Sequence, residues 1–161
     1  MDASNKSLPP TQRCFDDFHV GETFEFGARV VTEAEIIDFA RRYDPQPFHL
    51  DPAAAAATHF GGLVASGWMS CALLMRLLCD HFIPREASMG SPGVDEVRWL
   101  EPVRPGDTLR VQLEVVEMRP SVSKPDRGVM RCRHRLINQH GEVVLTQLGM
   151  GMYRRRVVAS T

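Results

Sequence analysis

Between Leu63 and Leu78 the chain runs almost unbroken through apolar side chains. This stretch falls short of the roughly 20 residues a bilayer-spanning helix needs, and it carries Arg76. It therefore predicts a buried helix of about 15 residues beginning at Ser66, whose side chain suits an N-cap. Along it Trp68, Met69, Ala72, Leu73, Met75, Leu77 and Leu78 leave only a thin polar side. A helix apolar on nearly every face must be wrapped by other elements, so it should be almost wholly buried.

The rest of the chain supplies the wrapping. Thr23 to Val31, with Phe24, Phe26, Val30 and Val31, suits a strand. Thr32 and Glu35 form a capping-box pattern ahead of Glu33–Arg42, where Ile36, Ile37, Phe39 and Ala40 recur at helical spacing. Asp51-Pro52 opens a short helix through the alanines that follow. After a loop-like stretch from Pro84 to Pro92 the periodicity changes to strands. Val94–Leu100 is the first of these. Arg104-Pro105-Gly106-Asp107 has the residues of a type II turn. Thr108–Met118 alternates and then slips phase at Val116, as a bulge would cause. Gly128–Ile137 and Val143–Tyr153 follow, joined by a hairpin at Asn138-Gln139-His140-Gly141. Two-layer packing makes this an α+β fold, with a helix lying on a curved antiparallel sheet.

At 161 residues the chain fits one domain. Residues 1–13 are polar and proline-bearing and read as a flexible arm; 14–156 form the domain and 157–161 a tail. A net charge of -1 supplies no field to attract nucleic acid or an anionic membrane. Arg154-Arg155-Arg156 reads as a solvated strand end, with phosphate contact as the sharper alternative. The four cysteines show neither CxxC spacing nor a disulfide framework, and the N-terminus has no apolar signal segment, so a cytoplasmic location is expected. Cys71 and Cys79 read as core residues rather than nucleophiles. The histidines outside the motif described next have no ligand spacing, so no metal site is expected.

Tyr43-Asp44-Pro45-Gln46-Pro47-Phe48-His49 carries the chemistry. A carboxylate and an imidazole stand five residues apart, on a segment that two prolines stiffen. Acid–base catalysis needs one group to take a proton and another to give it, both held in place beforehand. The pair alone reads first as a turn cap and a core hydrogen bond. Downstream, Ser66-Gly67 opens the long helix, whose first N–H groups lack internal partners and carry positive partial charge. Glycine there lets a carbonyl approach, which would make an oxyanion site. An ordinary Ser cap with close helix packing is the plainer alternative.

Taken together, Phe39 to Pro52, followed by Phe60-Gly61-Gly62-Leu63-Val64-Ala65-Ser66-Gly67, resembles the hydratase motif of MaoC-like (R)-specific enoyl-CoA hydratases. The order of elements resembles their hotdog fold over about residues 15–153. The resemblance implies that Asp44 and His49 are the catalytic pair, adding water syn to an enoyl thioester or removing it. It implies that the Gly67 N–H, with Ser66 and Gln46 nearby, meets the substrate. The substrate would carry coenzyme A or an acyl-carrier-protein phosphopantetheine, and no separate cofactor is expected. Tyr43 stands where the family has Gly, and Gln46 where it has Asn, which puts substrate choice in question. A hotdog thioesterase and a non-catalytic acyl-thioester-binding subunit are the competing functions. An uncovered sheet edge argues for a homodimer, as the resemblance also implies.

Overall fold

The computed structural model describes residues 8–156. In chain order it runs β1 (Thr23–Val30), α1 (Glu33–Tyr43), α2 (Pro47–Leu50), α3 (Pro52–Ala56), α4 (Gly67–His81), β2 (Val94–Trp99), β3 (Thr108–Pro120), β4 (Arg127–Ile137) and β5 (Val143–Arg154). The strands form one antiparallel sheet in the order β1-β3-β4-β5-β2. The sheet curls around α4, which is the hotdog arrangement.

Local chemistry explains the element boundaries. Thr32 accepts from the Glu35 N–H at 3.2 Å while the Glu35 carboxylate accepts from the Thr32 N–H at 3.1 Å, closing the capping box at the start of α1. Gly106 has φ +88°, which the third position of the type II turn demands, and the Asp107 N–H closes the turn on the Arg104 carbonyl at 3.1 Å. The β3–β4 register slips between Val115 and Glu117, where the alternation changes phase.

The core lies between α4 and the concave sheet face. Leu74 and Leu77 of α4 meet Val111, Leu113, Val115, Leu136 and Leu145, all buried. Burying one such side chain contributes about 1.5–3 kcal/mol.

Three expectations need correction. The segment through His49 is not a plain stiff connection. Pro47 sits at the first position of α2, where its fixed φ and missing N–H suit a helix start, so His49 rides on a single helical turn. The end of the expected loose arm, residues 8–13, is anchored at Arg13, while Pro9 and Gln12 stay exposed. Arg13 is buried, pairs with Glu22 at 2.7 Å and lies over the Phe18 and Phe24 rings. Residues 1–7 and 157–161 lie outside the described residues. Finally, α4 is not buried all round. Trp68 is 61% exposed and Met75 48%, and Cys79 is exposed too. The sheet ends at β2, and among the described residues nothing covers the helix side that carries these exposed residues. Trp99, Leu100 and Val94 are exposed on the same side.

Candidate active site

Asp44 is the residue on which α1 ends. Its N–H bonds the Ala40 carbonyl at 3.0 Å, and Pro45 then stops the helix. The Gln46 N–H turns back onto the Asp44 carbonyl at 2.8 Å, and α2 begins one residue later. This double reversal brings the Asp44 carboxylate to the His49 ring, with Oδ2 3.4 Å from Nε2. Both side chains are largely buried.

Each group is fixed from behind. The His49 Nδ1 lies 2.7 Å from the Val64 carbonyl oxygen. A carbonyl can only accept, so Nδ1 carries the proton and Nε2 presents a lone pair. The Asp44 Oδ2 accepts from the Ser66 hydroxyl at 2.6 Å, and Oδ1 accepts from the Gln46 amide at 2.7 Å. Those two bonds, led by Ser66, hold the carboxyl below its ordinary range against the effect of burial. Asp44 is therefore ionised at neutral pH.

The Ser66 hydroxyl also accepts from the Trp68 N–H at 3.2 Å, capping α4. The next residue, Gly67, supplies the first N–H of that helix, which has no intrahelical partner. Trp99 packs directly against it. A Cβ on Gly67 would lie 2.6 Å from the Trp99 Cε2, and the indole N–H donates to the Gly67 carbonyl at 2.8 Å. Asp44, Gln46, His49, Gly67 and Trp99 line one cleft of about 460 Å³.

The sequence-predicted residues therefore converge, with two differences in role. Ser66 is fully buried and does not line the cleft; its hydroxyl is committed to Asp44 and to the helix start. Gln46 lines the cleft, and its amide rests on Asp44. Both were expected at the substrate; each also bonds the Asp44 carboxylate, Ser66 from behind it and Gln46 from within the cleft. Sequence reasoning missed Trp99 and the Val64 carbonyl. Trp99 lies 32 residues from Gly67, and a backbone carbonyl leaves no mark in the residue types. Elsewhere, Arg155 and Arg156 pair with Asp16 and Asp17 within the chain. Among the described residues no His, Cys, Asp and Glu side chains cluster as metal ligands, and no helix is long and apolar enough to cross a membrane.

A carboxylate, an imidazole lone pair and a helix-end N–H facing one cleft can take a proton, return it and steady a developing oxyanion. The comparisons with known proteins give the family. The MaoC like domain matches residues 17–133. A MaoC-like dehydratase from Rhodospirillum rubrum is 41% identical, with a TM-score of 0.84 over 91% of this chain and 99% of that one. An unliganded (R)-hydratase from Pseudomonas aeruginosa is 28% identical, with a TM-score of 0.71 over 92% of each chain. Mesaconyl-CoA hydratase from Cereibacter sphaeroides is 29% identical over 92% of this chain, which spans only 43% of that relative. The chain belongs to the MaoC-like dehydratase family.

Proposed function

We propose that this protein adds water across the double bond of an enoyl thioester, or removes it from the 3-hydroxyacyl thioester. The observation that carries this is the meeting of the Asp44 carboxylate, the His49 Nε2 and the Gly67 N–H in one cleft. The names of the mesaconyl-CoA hydratase and (R)-hydratase relatives support it.

In hydration, a water between Oδ2 and Nε2 donates to both acceptors. Its oxygen attacks the β-carbon as the pair takes one proton. The electrons of the double bond move to the α-carbon and the thioester oxygen, where the Gly67 N–H receives the charge. The pair then returns the proton to the α-carbon from the same side, so addition is syn and the pair is regenerated. The two groups share one proton and act as a unit. The thioester arrives on coenzyme A or a phosphopantetheine arm, and no further cofactor takes part.

We further propose a homodimer formed through the β2 edge. An exposed edge strand invites pairing, and Trp68, Met75, Trp99 and Leu100 place apolar surface beside it. Sedimentation at micromolar concentration should give twice the chain mass; a monomer would count against it.

Crotonyl-CoA supplies the catalytic test. Loss of enoyl absorbance without free thiol is the expected result. Thiol release would replace hydration by thioester hydrolysis, and no reaction with any enoyl thioester would leave a binding subunit.

A further inference from the structure

A second cavity, of about 310 Å³, opens along the C-terminal half of α4. Met75, Leu78 and Phe82 line it from the helix, and Met130, His134 and Gly149 from β4 and β5. It shares no lining residue with the active-site cleft but lies along the same helix. Gly67, Cys71, Met75, Leu78 and Phe82 fall on one helix face at spacings of three or four. On the sheet, Trp99 pairs with Leu145, Val97 with Gln147 and Val94 with Gly149, so the residues at alternate positions of β5 run from the cleft to this cavity on one face. Eight residues of helix separate Gly67 from Met75, about 12 Å, within the span of a medium-length acyl chain.

The cavity wall is mostly apolar, with Ser88, Ser91, Gln147 and Tyr153 as its other polar members beside one imidazole. His134 is buried at 6% exposure, and among the described residues its Nδ1 makes no hydrogen bond of normal geometry, although the Gln147 side chain lies beside the ring. Burial pushes its pKa down to about 4, opposed by Gln147 across the strand pair, so the ring is neutral at physiological pH. Gly149 keeps the cavity open beside the ring: a Cβ there would lie 3.2 Å from Cε1 and 3.5 Å from Nδ1. An unpaired buried nitrogen costs about 1–3 kcal/mol, which a purely apolar ligand would leave in place.

We infer that the far end of the substrate's acyl group carries a hydroxyl, which His134 reads in this cavity. The inference rests on the thioester function above. A hydroxyl can donate to the free nitrogen and needs no charge on the ring, whereas a carboxylate would be buried beside a neutral one.

The test separates binding from turnover. Calorimetry with saturated medium-chain acyl-CoA, its ω-hydroxy counterpart and its ω-carboxy counterpart reports the cavity without chemistry. The hydroxy chain should bind about tenfold tighter than the plain one, with the carboxy chain weakest. His134→Leu should erase the tenfold preference, and His134→Gln, which keeps a hydrogen-bonding group, should retain part of it. Should either variant fail to fold, the wild-type ranking alone decides. Equal or reversed affinities overturn the inference, as does the absence of binding by all three. Turnover of the matching enoyl-CoAs is measured separately. Tenfold selective binding without turnover would sink the hydratase function and leave the cavity's selectivity standing; turnover without selectivity would do the reverse.

Discussion

His49 and His134 are equally buried, each at 6% exposure, and they have opposite surroundings. His49 is pinned at Nδ1 by the Val64 carbonyl and faces the Asp44 carboxylate. His134 has no charged group beside it, its Nδ1 is unpaired among the described residues, and burial drives its pKa down to about 4 against the effect of Gln147. Burial alone therefore does not make an imidazole useful for proton transfer. A partner that fixes the tautomer and a neighbouring charge do, and of these two histidines His49 has both.

The sharpest way to break this contrast is at the carboxylate. Asp44→Asn keeps the shape but removes the charge, and hydration of crotonyl-CoA should fall on the order of a thousandfold. Because the pair acts as a unit, adding His49→Gln should cost far less than it does in the wild-type protein, measured as kcat/KM of the double variant.

His134 supplies the next effect, in stability. The unfolded residue titrates near 6.5 and the folded one near 4. As pH falls through that window only the unfolded chain takes up the proton, so stability drops with falling pH, by about 2 kcal/mol at pH 5 and about 3 kcal/mol by pH 4. Urea melts at pH 7 and 5 should show it, and His134→Leu should flatten this dependence.

Ser66→Ala strikes both ends of a shared contact. It removes the cap on the Trp68 N–H and a donor to Asp44, and should cost about 1–2 kcal/mol in thermal unfolding. The Asp44 carboxyl should rise toward its ordinary value, so the acid limb of the kcat/KM profile moves to higher pH. Trp99→Phe keeps the ring and loses the bond to the Gly67 carbonyl; a few-fold drop in kcat, worth about 1 kcal/mol, is expected.

Much of this was legible in the residues. The capping box, the type II turn, the bulge at Val116 and the span of α4 rest on local rules, and the structure follows them. The Asp44–His49 pair was legible because prolines mark a segment whose geometry is set within seven residues. What escaped depends on contacts between distant residues. Ser66 reads as a cap, and nothing local says that its hydroxyl reaches a carboxylate 22 residues away. Trp68 and Met75 look like core because their neighbours are apolar, yet the sheet stops short of them. His134 shares its face of β4 with the apolar Met130, Cys132 and Leu136, and what stands beside its ring depends on β5.

The Ser66 hydroxyl ties the folding of one helix end to the charge on the catalytic carboxylate. Opening the first turn of α4 withdraws a donor from Asp44, and protonating Asp44 weakens the hold on that turn. The two equilibria are thermodynamically linked, so the protection of the Trp68 amide against exchange, taken relative to its intrinsic rate, should fall as pH falls toward the carboxyl's own titration. In this protein the backbone of a helix terminus would act as an indicator for the state of its base.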